Sequence, residues 1–203
     1  MGFMKKIDEK ILEVESYIKK HLSKERYEHS VRVAKYALFL ASLSKKTKKL
    51  KELAYFTGLA HDICKELPDK DQLKLAKKDG SPITEIEMQN MNLLHGRAGA
   101  VFLHEKFGVD NKKVLDAIKH HTFGSPELKK LGKLLFIADK IEPGRKGSEA
   151  ENFRKMATNV SIDMLALNIL DFNINKLSLK NLKAADATIA MQHKLRKKIK
   201  AKK

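Results

Sequence analysis

Apolar residues recur along this chain at intervals of three and four positions, which is the period of an α-helix with one buried face. The first predicted helix shows the pattern with four residues on a single face: Ile7, Ile11, Val14 and Ile18. Alternating runs of β-branched residues, which would predict strands, do not occur. We therefore predict an all-α fold, a single helical bundle.

Capping and breaking residues predict where the first helices begin and end. Ser23 can cap a second helix that runs from about Lys24 to Leu43. A third helix starts near Thr47 and carries Leu50, Ala54 and Thr57 on one face. Pro68 is expected to end this helix, because proline cannot continue a helix interior.

The middle of the chain alternates polar breaks with short apolar segments. The stretch 68–92 contains the break Asp79-Gly80-Ser81-Pro82, so we expect short helices or loops there. His95 opens a further helix that ends at Gly108, and Asp110 is expected to cap the next one.

The last third of the chain is also predicted to be helical. Ser125-Pro126-Glu127 resembles a cap with proline at the first helical position, and Pro143-Gly144 would end that helix. Two or three further helices are expected from about Ser148 onwards. We treat residues 1–203 as one domain and expect the tail 194–203 to be disordered or a frayed helix end.

Composition limits the classes of function. The 203 residues suit one domain, and the formal net charge of +17 comes from scattered lysine with one dense run, KLRKKIKAKK, at the end. Scattered lysine is usually a solvated surface, although it also attracts anionic ligands. The single cysteine excludes an internal disulfide, and there is no apolar segment long enough for a membrane or signal core. We expect a cytoplasmic protein without a membrane partner.

The most informative residues are histidines and aspartates at the ends of apolar helices. They occur in the order His29, His61, Asp62, His95, His121 and Asp139. A buried aspartate beside a buried histidine needs strong compensation, which a divalent metal supplies. His121 shares the face of Val114 and Ile118, whereas His120 is rotated away from that face.

Imidazole nitrogens and carboxylate oxygens suit iron, manganese or zinc, and this set has more donors than one tetrahedral ion accepts. Two metals bridged by one carboxylate would use them all. The alternative is a set of unrelated core histidines, each hydrogen-bonded to the backbone.

The motifs together resemble a known family. The segments RYEHS, GLAHDICKELP, LLHGRAGA, IKHHTFG and IADKIEPGR are similar to those of the HD-domain superfamily and, more narrowly, of the YqeK-type symmetrical bis(5'-nucleosyl)-tetraphosphatases. The similarity spans roughly residues 7–192, and ADKIEPGR is its most specific string. It implies a helical fold with two divalent transition-metal ions, commonly iron, with manganese as the alternative.

The resemblance also implies roles for individual residues. One metal would be bound by His29, His61, Asp62 and Asp139, and the other by His95, His121 and the same Asp62. Asp62 and Lys65 are thus the expected catalytic residues, with Lys65 meeting a phosphate oxygen as in HDxxK motifs. The expected substrate-binding residues are Arg26, Lys65, Thr122, Gly124, Lys140 and Arg145.

The chain departs from the usual family pattern at four places. His120 stands where tyrosine is common and Phe123 where threonine is common, which leaves the nucleoside preference open. Arg97 follows the HG pair where the family usually has an uncharged residue, so it is expected to be an ordinary base or ion-pair partner. Residues 146–151 also differ and supply no expected site residue.

The leading hypothesis is a metal-dependent phosphohydrolase that cleaves diadenosine tetraphosphate into two ADP molecules. The second is another HD-type enzyme acting on a nucleoside mono-, di- or triphosphate. The third, from another class, is a basic helical RNA-binding protein, supported by the charge alone and weakened by the lack of tryptophan and the four tyrosines. The expected partner is a nucleotide substrate, nucleic acid is not favoured, and a homodimer is left open.

Overall fold

The computed structural model describes residues 2–43 and 47–201 of the protein. These residues form α-helices, short turns and one 3₁₀ segment, and no strand occurs among them. The helices are α1 Gly2–His21, α2 Lys24–Ser42, α3 Lys48–Ala60, α4 Asp69–Lys77, α5 Glu85–Gln89, α6 His95–Phe107, α7 Lys112–Lys119, α8 Lys130–Ile141, α9 Ser148–Met156, α10 Ile162–Ser178 and α11 Asp186–Lys200, with the 3₁₀ turn Met91–Leu94 before α6. The predicted all-α class is confirmed. Within the described ranges, no helix is both long and apolar enough to cross a membrane.

The centre of the core is the contact of α2 with α3 and α8. Leu40 of α2, Leu59 of α3 and Leu134 of α8 are all fully buried. Burial of each such side chain stabilises the fold by roughly 1.5–3 kcal/mol. Gly58 lets α2 and α3 approach closely, since a Cβ there would lie 2.5 Å from the Ala34 Cα atom. This contact brings together the two helices that carry His29 and His61.

The third helix is shorter than the sequence predicts. It begins after the N-cap Thr47, as expected, but it ends at Ala60 rather than near Pro68. Residues 61–66 form tight turns instead, with Ile63 N donating to Ala60 O at 3.1 Å and Lys65 N to Asp62 O at 2.8 Å. Because the chain unwinds at this point, residues 61 and 62 leave the helix and enter the interior.

Two further predicted boundaries are wrong. Asn111, not Asp110, caps α7, because its side chain accepts from Lys113 N at 3.1 Å. Asp110 instead contacts His104 Nδ1 at 3.0 Å. The predicted helix start at Ser125-Pro126-Glu127 is only a turn.

The start of α8 shifts to Lys130 because Lys129 has an extended backbone with φ −78° and ψ −177°. Ser125 therefore caps a single turn, in which its Oγ accepts from Glu127 N at 3.1 Å. Leu128 then packs over Gly132 in the core, in space that a side chain at position 132 would fill.

The C-terminal tail is helical as far as Lys200, so the expectation of a disordered or frayed tail is wrong for these residues. Buried Leu195 and partly buried Ile199 hold the last turns of α11 against the core. Ion pairs add to this packing, with Lys194 at 2.9 Å from Glu127 and Lys198 at 2.7 Å from Asp163.

Candidate metal centre

All six predicted metal ligands lie together in one buried cluster. They come from five parts of the fold, namely α2, the turn after α3, the start of α6, the turn after α7 and the end of α8. Their exposed fractions are between 0% and 7% for His29, His61, Asp62, His95, His121 and Asp139. Four imidazoles and two carboxylates thus share a small volume that is largely shielded from bulk water.

Three of the imidazoles are oriented by backbone carbonyls close to them in sequence. The Nδ1 atoms lie 2.8, 2.6 and 2.8 Å from carbonyl oxygens in the pairs His61–Gly58, His95–Asn92 and His121–Ile118. A carbonyl oxygen only accepts, so each Nδ1 carries the hydrogen and each Nε2 keeps a lone pair. This tautomer is the one in which Nε2 can bind a metal.

The fourth imidazole, His29, is oriented by a side chain. Its Nδ1 lies 3.1 Å from Glu142 Oε1, and Glu142 is 1% exposed. The same carboxylate accepts from Arg32 Nε at 2.8 Å and from Gly144 N at 2.5 Å. Burial alone would raise the pKa of Glu142, but these donors outweigh burial and lower it to about 2. Glu142 is therefore ionised, and the His29 Nε2 lone pair points toward the cluster.

The Asp62 carboxylate lies between two pairs of histidines. Its Oδ2 atom is 3.4 Å from His61 Nε2 and 3.9 Å from His29 Nε2. Its Oδ1 atom is 3.2 Å from His95 Nε2 and 3.6 Å from His121 Nε2. Each oxygen faces its own pair of imidazole nitrogens, which is the arrangement of a carboxylate that can bridge two ions.

Asp139 completes the first half of the cluster. Its Oδ1 atom lies 3.2 Å from His29 Nε2 and 3.7 Å from His61 Nε2. Ligand atoms of His29, His61 and Asp139 all lie within 4.8 Å of one another, as do those of His61, Asp62 and His121. The cluster thus has two overlapping groups of potential ligands.

The cluster has the features expected of a metal centre. The Nε2 atoms of His29 and His61 are buried without a hydrogen-bond partner. The Nε2 atoms of His95 and His121 face each other at 3.0 Å, although both are lone-pair atoms in the tautomers given above. Lone pairs that face carboxylates and each other repel, and divalent cations between them would turn this repulsion into coordination. The residues therefore fit two divalent metal ions.

The pKa shifts of the two carboxylates and of His121 agree with this charge state. Burial alone would lower the pKa of His29, but the contacts with Asp139 and Glu142 outweigh burial and raise it. Burial alone would raise the pKa values of Asp62 and Asp139, yet both lie well below their ordinary value, with His61 lowering the first and Lys140 the second. Burial lowers the pKa of His121 to about 4. Two anionic carboxylates and a neutral His121 are the protonation states that metal binding requires.

The six clustered residues lie within a segment that matches a known protein family. A sequence model of the HD domain family matches residues 26–144, which is more than half of the chain and includes all six clustered residues. The chain belongs to the HD domain family. The expected family is therefore confirmed.

Two curated relatives of this HD domain protein are named symmetrical bis(5'-nucleosyl)-tetraphosphatase. The one from Halalkalibacterium halodurans is 32% identical over 162 residues, which are 78% of this chain and 84% of the relative. The one from Staphylococcus aureus is 36% identical over 141 residues, 70% of this chain and 71% of the relative. A crystal structure of a Clostridium acetobutylicum protein, described as a predicted HD superfamily hydrolase involved in NAD metabolism, has a TM-score of 0.84 at 31% identity and covers 92% of this chain and 96% of its own.

Three of the predicted substrate-binding bases in this HD domain lie against the clustered carboxylates. Arg26 NH1 is 2.8 Å from Asp62 Oδ2, and Lys140 Nζ is 2.6 Å from Asp139 Oδ2. Arg145 NH2 is 2.9 Å from Asp139 Oδ1. Their side chains are between 27% and 43% exposed, so this is the side on which the cluster meets solvent. An anionic ligand approaching the centre would meet these three cations.

Lys65 lies beside the other half of the centre. Its Nζ atom is 3.3 Å from His95 Nδ1, which already donates to the Asn92 carbonyl. Burial lowers the pKa of Lys65, and the nearby Asp62 carboxylate opposes this effect. Lys65 thus lies against the His95 ring on its Nδ1 side.

The segment after α7 is only partly at the centre. Thr122 Oγ1 lies 3.5 Å from His95 Nε2, which is at the limit of hydrogen-bond distance. Gly124 has a positive φ of 77° and donates from N to His120 O at 2.8 Å, so it shapes the turn and makes no side-chain contact. His120 is outside the groups of potential metal ligands among the described residues.

Sequence reasoning missed Glu142, although it lies inside the ADKIEPGR string that carried the family resemblance. A carboxylate three residues after Asp139 was the available signal. Arg97, expected to be an ordinary base or ion-pair partner, is a buried ion-pair partner, with Asp79 at 2.8 Å and Glu87 at 3.0 Å. It holds the loop before α6 in place and does not contact the centre.

Proposed function

We propose that this HD domain protein is a metal-dependent phosphohydrolase that cleaves diadenosine tetraphosphate symmetrically into two ADP molecules. The observation that carries the proposal is the Asp62 carboxylate, each oxygen of which faces one pair of imidazole nitrogens at 3.2–3.9 Å. The names of the two bacterial relatives, both above 30% identity, support the substrate.

The proposed ligand sets follow the two halves of the cluster. His29, His61, Asp62 and Asp139 hold one ion, and His95, His121 and the same Asp62 hold the other. When bound, two such ions stabilise charge on phosphoryl oxygens and lower the pKa of water toward neutrality. The ions in this proposal are iron, as the family resemblance implies, with manganese as the second choice; nitrogen and oxygen donors suit both metals. Cys64 is buried, and burial raises the pKa of its thiol to about 12.

The bases at the open side bind the polyphosphate in this proposal. Arg26, Lys140 and Arg145 receive the phosphate oxygens as they enter, and Lys65 binds an oxygen of the phosphoryl group over the histidines. Thr122 and the turn at Gly124 contact the substrate beside His95. These cations compensate the negative charge of four linked phosphates and hold one inner phosphorus next to the centre.

The choice of the central phosphoanhydride bond follows from the chemistry of the leaving group. Attack at one inner phosphorus expels ADP, whose new terminal phosphate has a second pKa of about 6 and leaves at neutral pH without a strong general acid.

A single turnover in water labelled with heavy oxygen tests the proposal. We expect two ADP molecules, with label on the terminal phosphate of only one of them. Release of ATP and AMP would reject symmetrical cleavage. A panel of AMP, ADP, ATP and NAD, measured under the same conditions, tests the alternative of another HD-type nucleotide phosphohydrolase, because preferred turnover of one of these would replace the proposed substrate.

We further propose that residues 1–203 form one domain, that the protein acts in the cytoplasm and that a nucleotide, not nucleic acid, is its partner. The free buried Cys64 is compatible with a reducing compartment. A homodimer is left open, and light scattering on the purified protein decides between a monomer and a dimer.

A further inference from the structure

A cavity of about 670 Å³ lies outside the cluster of proposed metal ligands. It is lined by the end of α2, the turn before α8, the turn after α9, the start of α10 and one face of α11. None of the proposed metal ligands or substrate-binding residues lines it. Its volume falls within the range of about 300–1,000 Å³ that is typical of small-molecule sites.

The apolar part of the cavity is aliphatic. The side chains that form it include Leu40, Leu128, Val160, Ile162, Met191 and Leu195. No aromatic ring is present among its lining residues, so nothing there can stack on a nucleobase. These walls match a flexible hydrocarbon chain better than a second nucleotide.

The polar part of the cavity is positively charged. Five lysines line it, namely Lys129, Lys130, Lys133, Lys194 and Lys198, against the two carboxylates of Glu127 and Asp163. Lys133 is 8% exposed and contacts Asp163, to which Lys198 also bonds at 2.7 Å. Five lysines against two carboxylates give the lining a net positive charge.

Two helix N-termini add to this positive charge. The cavity is lined by the first residues of α8 and of α10, which begin at Lys130 and Ile162. Lys129, the N-cap residue of α8, makes no capping hydrogen bond with its side chain. Helix N-termini carry partial positive charge and favour anions.

We propose that this cavity binds a small anionic amphiphile, that is, an aliphatic chain ending in a carboxylate or a phosphate. The aliphatic chain of the ligand packs against the leucine and valine side chains. Its anionic end lies among the lysines at the start of α8. A ligand there also contacts Ser125 and Met191, which adjoin the turn at Gly124; a Cβ at Gly124 would lie 2.5 Å from Met191 Sδ.

Isothermal titration calorimetry on the full chain tests this proposal with octanoate, octyl phosphate and octanol. We expect saturable binding of at least one of the two anions and at least 10-fold weaker binding of octanol. The two anions distinguish a carboxylate ligand from a phosphate ligand. Equal affinity for octanol, or no saturable binding of either anion, would overturn the proposal.

Single-residue variants test whether the ligand binds in this cavity. Thr158 lines the cavity from an exposed position, and Thr158→Trp should fill it and weaken binding at least 10-fold. Lys129→Glu should weaken binding at least 5-fold, whereas Lys112→Glu, the same change on α7 outside the cavity, should not. Asp62→Asn should leave octanoate affinity unchanged, because the cavity shares no residue with the metal centre.

Two results would contradict the assignment. One is unaltered octanoate binding in folded Thr158→Trp, with folding checked by circular dichroism. The other is a dimer that Thr158→Trp converts to a monomer in light scattering, because a second copy of the chain would then cover the cavity.

Discussion

Glu142 accepts a hydrogen bond from His29 Nδ1 at 3.1 Å, and this contact joins the metal centre to the turn that carries Arg145. Arg154 supports the same turn by donating to the carbonyls of Ile141, Glu142 and Arg145 at 3.1–3.2 Å. A buried carboxylate behind a metal-binding histidine fixes the tautomer and orientation of the ring.

Glu142→Gln should therefore weaken metal binding while the fold is retained. The amide carries no charge, so the His29 ring loses its anionic partner, and losses of about 10- to 100-fold in metal affinity or activity are typical of such changes. Metal content per chain after dialysis, together with turnover, measures the effect. Glu149→Gln makes the same substitution at an exposed position in α9 and serves as the control. Unchanged metal retention in Glu142→Gln would contradict the proposed role.

The adjacent His120 and His121 should differ sharply. His121 Nε2 lies 3.6 Å from Asp62 Oδ1, whereas the half-buried His120 is outside the metal-binding groups. His121→Ala should lower metal content or turnover by orders of magnitude, while His120→Ala should change KM at most. Equal loss of bound metal in the two variants, measured by elemental analysis, would refute the ligand assignment.

Asp79 should make folding stability dependent on pH in the acid range. Burial alone would raise the pKa of Asp79, but Arg97, the Ser81 N–H and Lys119 outweigh burial and lower it from 3.8 to about 2. Since the folded-state pKa is below the unfolded-state value, the stabilisation is fully present above pH 3.8 and is lost as the pH falls toward 2.

Asp79→Asn should accordingly reduce the free energy of unfolding at pH 7 by roughly 1–2 kcal/mol, allowing for solvent screening. Urea unfolding of both proteins at several pH values between 2 and 7 measures the difference, which should shrink below pH 3.8. Asp110→Asn, at a position whose side chain is 81% exposed, is the matched control. The same difference in the free energy of unfolding at all pH values would contradict this role of Asp79.

Two glycine substitutions test the close packing of α2 on α3. Gly58→Ala places a Cβ 2.5 Å from the Ala34 Cα atom, and such overpacking costs about 1–3 kcal/mol. Gly99→Ala meets its neighbours only at 3.5 Å or more and gains helix propensity, so it should be neutral or stabilise by about 0.5–1 kcal/mol. Thermal melting should show a lower Tm for Gly58→Ala and an unchanged or higher Tm for Gly99→Ala.

The helical class and the burial of individual ligands could be predicted because both depend on local pattern. Periodicity placed Val114, Ile118 and His121 on one face, and the structure buries all three. Family resemblance supplied the division of ligands between two ions, which periodicity alone does not contain.

The remaining features depend on tertiary contacts that no local pattern encodes. The end of α3 at Ala60 follows from His61 and Asp62 leaving the helix to face residues more than 30 positions away. The delayed start of α8 depends on Leu128 packing over Gly132. The Glu142 carboxylate is bonded to His29 and Arg32, which lie on α2, more than 100 residues earlier in the sequence.

The central claim is that Asp62 bridges two metal ions, and the metal content of Asp62→Asn tests it most directly. Elemental analysis of protein purified without chelator should give about two transition-metal ions per wild-type chain. The amide in Asp62→Asn lacks the charge that both ions share, so this variant should lose both ions and nearly all phosphohydrolase activity. Wild-type metal content with full activity in Asp62→Asn would contradict the dinuclear centre.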